Sequence, residues 1–195
     1  MTSGTSPVVT QRDPELAGQT VVVIGGSAGI GLETARRARA EGADVILTGR
    51  NADRLEQAAL DVGAKQTAAF DANDAVSLEG FFQGLPTPID HVMITAGGPQ
   101  YGPMLEMDSD QVREAIGGHA VLELEVARHA AGKMRPGGTL LLVGGTGGRR
   151  IDHRLGIVSA ATAALPPFTA ALALELAPVR VNLIAAGFVD TVSGE

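Results

Sequence analysis

A short apolar run that breaks into a glycine-rich turn constrains the fold of this chain more than any other feature. Residues 21–24 read Val-Val-Val-Ile, and residues 25–31 read Gly-Gly-Ser-Ala-Gly-Ile-Gly. A buried strand followed by such a turn and a helix lets backbone N–H groups approach a phosphate. The pattern favours a dinucleotide pyrophosphate site over a turn that binds nothing. The residues expected against the phosphates are Gly25, Ser27, Gly29, Ile30 and Gly31.

Apolar runs and helical patterns alternate along the rest of the chain. Strands are predicted at residues 21–24, 44–48, 67–70, 91–95, 139–143 and 179–184, and helices at 30–41, 52–62, 75–83, 111–133 and 159–177. Short apolar strands alternating with helices are typical of a parallel sheet covered on both faces. We therefore predict an α/β fold with a doubly wound, three-layer parallel sheet of the Rossmann type over residues 19–195. Residues 1–18 are predicted to form a flexible arm.

Two local features refine the predicted helices. The long helix over residues 111–133 is expected to end at a turn that reads Arg-Pro-Gly-Gly over residues 135–138. Pro166 and Pro167 fall inside the last helix. Because an interior proline removes a backbone hydrogen bond, we expect a kink or a break there.

Composition excludes several classes of function. The 195 residues include 15 basic and 22 acidic side chains, a net charge of −7, and no cysteine. An acidic chain without a basic tract argues against nucleic-acid and anionic-membrane partners, and the absence of cysteine removes thiolate chemistry. The four histidines lack metal-ligand spacing, so no metal is predicted.

The location of the protein is predicted from its apolar segments. Residues 1–19 contain no apolar stretch typical of a signal peptide. The longest apolar stretch, residues 160–177, is interrupted by Pro166, Pro167 and Glu175, so we predict no membrane span. A cytoplasmic protein is expected.

Residues after the second and third strands extend the predicted cofactor site. Arg50 follows the second strand, where an acidic residue would bind the ribose of NAD and an arginine suits the 2′-phosphate of NADP. NADP(H) is therefore favoured, and the alternative is a solvated arginine. Asp71, followed by Ala72, ends the third strand. Its carboxylate could accept a hydrogen bond from an adenine amino group, or Asp71, Asn73 or Asp74 could simply cap the next helix.

Small residues end the fourth and fifth strands. Those after the fourth strand are Ala96, Gly97 and Gly98, and they leave room for a ligand in the crevice of the sheet. Residues 144–148 read Gly-Gly-Thr-Gly-Gly, which is equally typical of a flexible loop and of an anion-binding nest.

The N-terminal motifs closely resemble those of the short-chain dehydrogenase/reductase family. Residues 24–31 are similar to its TGxxxGxG turn, with Ile24 in place of threonine. Gly49 and Arg50 are similar to its NADP-type signal after strand two, and Asp71 matches its adenine-binding aspartate.

The later motifs extend the resemblance to the end of the chain. Residues 94–97 stand where NNAG is usual, and residues 175–182 match the stretch before the last core strand. Residues 186–191 resemble PGxxxT, with Ala186 in place of proline. The resemblance implies a nicotinamide cofactor and hydride transfer to a carbonyl or from an alcohol. It also places three residues near the nicotinamide: Gly187, Val189 and Thr191.

The resemblance also implies that the usual catalytic groups are replaced. The family uses a Tyr as proton donor, a Lys that lowers its pKa, a Ser that orients the carbonyl and an Asn that holds a water relay. The Tyr position falls on Val158 and the Lys position on Thr162. The Ser position falls on Gly144 or Gly145, and the Asn position falls near His119. The family's substrate lid, last helix and last strand have no expected counterpart, so a C-terminally short domain is predicted.

Three functions remain open at this point. The first is an atypical NADP(H)-dependent oxidoreductase acting on a small carbonyl or alcohol, with Thr146, His153 or Ser159 as substitute catalytic groups. Each of these is otherwise a loop residue or a helix cap. The second is an NADP(H)-binding protein without redox turnover, such as a sensor or partner subunit. The third is a structural protein, which the retained Arg50 and glycines disfavour.

An oligomer is also expected from the resemblance. The hydrophobic helices predicted at residues 111–133 and 159–177 match the family's usual dimer surface, which implies a homodimer or homotetramer. Either helix could instead be a buried core element.

Overall fold

A parallel sheet of six strands organises the chain. The computed structural model describes residues 14–147, 152–187 and 189. Its strands are β1 (Thr20–Ile24), β2 (Asp44–Gly49), β3 (Gln66–Ala69), β4 (Ile89–Ile94), β5 (Met134–Gly145) and β6 (Arg180–Ala186). All neighbours pair in parallel, in the order β3-β2-β1-β4-β5-β6. This confirms the predicted doubly wound α/β sheet.

Helices cover both faces of the sheet. They are α1 (Gly29–Ala40), α2 (Ala52–Val62), α3 (Ala75–Gly84), α4 (Ser109–Ala131) and α5 (Gly156–Glu175). A short 3₁₀ turn spans Met104–Glu106. The fold therefore alternates strands and helices as the sequence predicts.

The alternation of side chains along each strand builds two separate cores. On β1, Val21 and Val23 pack with α1 and α2, whereas Val22 and Ile24 pack with α3, α4 and α5. These β1 side chains are at most 5% exposed. Burial of both strand faces explains why the strands read as continuous apolar runs, and it produces the three layers.

The junction of α4 and β5 differs from the prediction. The helix ends at Ala131, and residues 135–138 belong to β5 rather than to a turn. Gly137 has a φ of +80°, and the register between β4 and β5 shifts between Ile89 and His91. A Cβ on Gly138 would lie 2.6 Å from the carbonyl oxygen of Asp90. The glycines thus form an irregular strand start that lies tightly against β4, and the turn prediction is wrong because it ignored this pairing.

Helix α5 continues through Pro166 and Pro167, so the predicted break is wrong. Leu165 and Leu172 are buried, and the helix packs against α4, β5 and β6. This tertiary packing outweighs the lost backbone hydrogen bonds. By length and composition alone α5 could cross a membrane. That is weak evidence, because the core helix of a soluble protein meets the same criterion.

The described part of the predicted arm contacts the domain. The Leu16 N–H donates to the carbonyl oxygen of Glu41 at 2.9 Å, and the Leu16 side chain packs against the core beneath α1 and α2. Residues 1–13, the greater part of the predicted arm, lie outside the described residues.

Candidate functional site

The site lies where the carboxyl ends of the strands meet. β1 has β2 on one side and β4 on the other, so the chain reverses its direction across the sheet at β1. In open parallel sheets this reversal opens a crevice that binds ligands. The glycine turn after β1, the ends of β2 and β3, and the loops after β4 and β5 surround this crevice.

Glycines bring the turn after β1 close to the end of β4. Gly25 has a φ of +92°, and a Cβ there would lie 2.6 Å from the amide nitrogen of Ala96. A Cβ on Gly31 would lie 2.5 Å from Thr95 Oγ1. The Thr95 hydroxyl donates to the Gly25 carbonyl at 3.0 Å and fixes this contact. Gly29 also has a positive φ, +55°, and begins α1.

The N-terminus of α1 differs from those of the next three helices. Its N-cap is Ala28, which supplies no side-chain hydrogen bond, and its first turn holds no acidic residue. By contrast Asn51, Asp74 and Asp108 cap α2, α3 and α4. The first N–H groups of α1 are therefore left to an outside acceptor, and the helix dipole favours an anion there. This arrangement fits a dinucleotide pyrophosphate.

Arg50 and Ser27 lie together at the end of β2. A Cβ on the buried Gly49 would lie 2.8 Å from Ser27 Oγ, so the serine lies directly over this backbone. Arg50 follows and is exposed. Within the described ranges no carboxylate pairs with its guanidinium. A hydroxyl and an uncommitted cation at this point fit a ribose 2′-phosphate.

Asp71, at the end of β3, does not cap the helix that follows it. Asp74, not Asp71, caps α3, because its carboxylate accepts from the Val76 N–H at 3.1 Å. Asp71 is exposed, and its Oδ1 accepts from the Asn73 N–H at 3.0 Å. Ala72 is buried beneath this turn. The Asp71 carboxylate is therefore oriented locally without capping the helix.

The loops after β4 and β6 leave open space. Ala96 is half-buried, Gly97 and Gly98 are exposed, and a Cβ on Gly98 would meet nothing within 4 Å. The same is true of Gly187, and Val189 is exposed. Thr191 lies outside the described residues.

Two of the three candidate catalytic residues come together. The Thr146 N–H donates to the Ala186 carbonyl at 2.9 Å, and the Ser159 hydroxyl donates to the Gly147 carbonyl at 2.8 Å. The loop after β5 is thus tied to the start of α5. His153 is separate: its side chain is 79% exposed, and its Nδ1 lies 3.0 Å from the Asp152 carboxylate.

The positions that the resemblance assigns to the catalytic Tyr and Lys also lie on α5. Thr162 Oγ1 donates to the Val158 carbonyl at 2.8 Å, as hydroxyls in helices commonly do. A Cβ on Gly145 would lie 3.4 Å from Thr162 Cγ2. The fold therefore brings these positions together. Val158 offers no acid or base, and the Thr162 hydroxyl already donates to the helix backbone.

A histidine and a glutamate on α4 form a pair, of which the sequence motifs pointed only to His119, near the family's Asn position. His119 Nε2 lies 3.1 Å from the Val143 carbonyl oxygen and 3.3 Å from Glu123 Oε1. The Glu123 side chain is 1% exposed, and neither of its oxygens has a hydrogen-bond partner. Burial raises the pKa of Glu123 from 4.5 to about 7. The signal was the four-residue spacing, which places both side chains on one helix face.

Comparison with known proteins agrees with this geometry. A family model described as enoyl-(acyl carrier protein) reductase matches residues 25–195. The short-chain dehydrogenase/reductase ATR9 of Stachybotrys chlorohalonatus is 30% identical over 189 residues, which cover 89% of this chain and 75% of that protein.

Solved structures show the same fold. The chain is similar to BdcA in complex with NADPH, with a TM-score of 0.83 and 26% identity over 91% of this chain and 74% of that one. It is also similar to a short-chain dehydrogenase of Burkholderia cenocepacia J2315 in complex with NADP. There the TM-score is 0.82 and the identity 26%, over 91% and 77% of the two chains. The chain belongs to the short-chain dehydrogenase/reductase family of oxidoreductases, and its fold supports binding of a nicotinamide cofactor.

Proposed function

We propose that this protein is an atypical NADP(H)-dependent oxidoreductase that acts on a small carbonyl or alcohol substrate. The single observation that carries the choice of cofactor is Arg50, which is exposed next to Ser27, has no carboxylate partner among the described residues and lies at the strand end where a ribose phosphate would lie. No acidic side chain occupies residues 49–52, where one would exclude a 2′-phosphate.

Each part of the proposed cofactor site has a separate task. The uncapped N-terminus of α1, with Gly29 and Ile30, would bind the pyrophosphate. Asp71 would accept from the adenine, and Ala96 and Gly97 would leave room for the ribose. When bound, the nicotinamide would supply or take the hydride. The protein's own residues bind, orient and protonate.

The residues at the usual catalytic positions favour a second candidate as well. Val158 and Thr162 supply neither the acid nor the cation expected of the family. An NADP(H)-binding protein without redox turnover, serving as a sensor or partner subunit, would retain Arg50 and lose these groups. Thr146 and Ser159 remain as polar groups near the site, with His153 farther out on the surface.

The assembly is part of the proposal. Ile116 and Val121 on α4 are 46% and 58% exposed, and Leu174 on the adjacent α5 is 83% exposed. We propose that these helices join two copies into a homodimer, or four into a homotetramer, in the cytoplasm. Nucleic-acid and membrane partners are disfavoured by the net charge of −7.

Parallel calorimetric titration with NADPH and NADH tests the function. We expect NADPH to bind at micromolar concentration and NADH to bind much more weakly. Arg50→Ala should abolish the preference, because it removes the cation opposite the 2′-phosphate. Arg128→Ala, which removes an exposed arginine paired with Glu125 on α4, is the matched control and should change neither affinity. Absence of binding by either cofactor would contradict both candidates.

A further inference from the structure

We propose that His119 performs the acid–base step at this site and that the buried carboxyl group of Glu123 supports it. This inference rests on the proposed oxidoreductase function and names the group that replaces the missing proton donor. Both residues lie on α4, one helical turn apart, beside the ends of β4 and β5.

Hydrogen bonding determines which nitrogen of His119 is free. Nε2 lies 3.1 Å from the Val143 carbonyl oxygen. Because a carbonyl oxygen only accepts, Nε2 must carry hydrogen, and the neutral ring therefore has its lone pair on Nδ1. A Cβ on Gly97 would lie 3.2 Å from this Nδ1. Gly97 is exposed in the loop after β4 that borders the crevice, and the His119 side chain is 27% exposed, so we place the free nitrogen within reach of a substrate there.

Glu123 lies behind the other side of the ring. Its Oε1 is 3.3 Å from His119 Nε2, within ion-pair distance but without hydrogen-bond geometry. Both carboxyl oxygens are buried and lack a hydrogen-bond partner. Such a group is costly and rare in a folded core, which suggests a role beyond packing. As a carboxylate it would stabilise the imidazolium form of His119. As an uncharged carboxylic acid it would be compatible with the neutral form of the His119 ring.

The surroundings isolate this pair from other charges. Few titratable side chains lie on the described elements that pack against α4. Each of them either binds another partner or lies at the end of its helix or strand. On α3, Glu79 accepts from Gln83. On β5, Arg135 pairs with Asp90 at the far end of the strand. On α5, Glu175 is the last residue.

The other charged residues of α4 lie before or after the pair: Asp110 pairs with Arg113, and Glu114 lies five residues before His119. Glu125 pairs with Arg128 and lies 3.8 Å from His129. Within the described residues, His119 is the titratable group within ion-pair distance of Glu123. Burial raises the pKa of Glu123 to about 7, so its protonation can change near neutral pH.

Reduction of the substrate uses one hydride from the cofactor and one proton from His119. The substrate carbonyl carbon accepts a hydride from the reduced nicotinamide, and the carbonyl oxygen accepts the proton from His119 Nδ1. The N–H bond at Nδ1 breaks as the O–H bond of the alcohol forms. The substrate gains the two electrons that the cofactor loses. Neutral His119 then regains a proton from water in the crevice. In the oxidative direction, Nδ1 accepts the proton of the alcohol.

The predicted alternatives are less suited to this step. The Ser159 hydroxyl donates to Gly147, and the Thr162 hydroxyl donates to Val158. An aliphatic hydroxyl is a weak acid without an adjacent activating base. His153 is an imidazole, but its side chain is 79% exposed and pairs with Asp152. Among the candidates in the described part of the chain, His119 combines an imidazole, a buried carboxylate neighbour and a free nitrogen beside the loop that borders the crevice.

The pair itself is tested without cofactor or substrate. The carboxyl ¹³C signal of Glu123 is titrated by NMR in the wild-type protein and in His119→Gln. We expect the titration midpoint of Glu123 to rise by about 1 pH unit in His119→Gln, because the nearby imidazolium no longer favours the carboxylate. His129→Gln, on the same helix, is the control and should leave the midpoint unchanged. An unchanged midpoint in His119→Gln overturns the proposal.

Activity is then measured with NADPH and a panel of small aldehydes, ketones and diketones. His119→Gln should lower kcat about 100-fold, the usual contribution of a general acid. Glu123→Gln should lower kcat at least ~10-fold and alter its pH profile, because it removes the group that stabilises the imidazolium. NADPH affinity and the melting temperature should stay near wild type in His119→Gln, which separates a catalytic effect from misfolding.

The outcomes distinguish the inference from the function on which it rests. A wild-type protein that does not bind NADPH overturns the proposed function and the inference with it. Binding without turnover of any carbonyl overturns the inference and favours the non-redox candidate. Turnover that His119→Gln leaves within about 2-fold of wild type overturns the inference alone.

Discussion

Gly25 and Ala96 approach so closely that a Cβ on Gly25 would lie 2.6 Å from the Ala96 amide nitrogen. Real side chains do not reach this distance, so the turn after β1 can lie against β4 only because residue 25 is glycine. The Ala96 N–H in turn donates to the Ile24 carbonyl at 3.0 Å. The glycine turn after β1 and the sheet are therefore one packed unit.

Gly25→Ala should destabilise the domain by about 1–3 kcal/mol and weaken NADPH binding, because Gly25 combines a positive φ with the contact to Ala96. Gly80→Ala is the control. Gly80 lies inside α3 and a Cβ there would meet nothing within 4 Å. Gly80→Ala should raise the free energy of unfolding by about 0.5–1 kcal/mol, because alanine has the better helix propensity. Chemical denaturation measures both, and equal effects of the two variants would contradict the packing argument.

Thr95→Val should lower stability by about 1 kcal/mol, because it keeps the shape but removes a hydroxyl that donates to Gly25. The turn after β1 would be held less firmly, so NADPH affinity should also fall. The same change at Thr67, an exposed residue on the edge strand β3, should have little effect on either quantity. Thermal melting and calorimetry would check this, and a normal NADPH affinity in Thr95→Val would show that the hydroxyl is dispensable.

Stability should fall as the pH rises from about 4.5 to about 7, on account of Glu123. Burial raises its pKa, so the folded protein holds the proton where the unfolded chain has released it. The unfolded state then binds fewer protons, and the free energy of unfolding decreases with pH through this window. Glu123→Gln should remove about 2 kcal/mol of this pH dependence between pH 5 and pH 8.

Unfolding titrations at both pH values provide the measurement for Glu123→Gln. Glu125→Gln, two residues along the same helix and paired with Arg128, should retain the wild-type pH dependence. If the free energy of unfolding changes equally between pH 5 and pH 8 in wild type and in Glu123→Gln, the Glu123 carboxyl does not titrate in this range.

Val121→Glu should convert the proposed oligomer to a smaller species. Val121 is a 58% exposed apolar residue on α4, and a charge buried there between two copies would lack a partner. Leu60→Glu, on α2 and 73% exposed, should leave the assembly intact. Sedimentation equilibrium decides the matter. A monomeric wild-type protein, or an unchanged mass for Val121→Glu, would rule out this face as the interface.

The order and type of the elements could be predicted from the sequence because they depend on local patterns. The apolar run before Gly25 and the alternation that follows it predict a parallel α/β sheet, and the sheet order confirms this. The glycines, Arg50 and Asp71 were found because each follows a strand, and parallel strands end at one edge. Their binding roles remain predictions.

The remaining features depend on contacts between distant segments. Residues 135–138 look like a turn, yet pairing with β4 draws them into β5. Pro166 looks like a helix breaker, yet packing against neighbouring elements keeps α5 continuous. Neither outcome is encoded within the segment itself.

Local sequence patterns are enough to predict the fold class and the family, because buried strands and glycine turns leave periodic, local signatures. Only the tertiary structure showed that α1 lacks a cap and that Glu123 is buried beside His119. From sequence alone, a carboxylate on a helix is predicted to be exposed to solvent. Its burial, and therefore its pKa, depends on how α4 packs against the sheet and its neighbouring helices, which only the assembled fold decides.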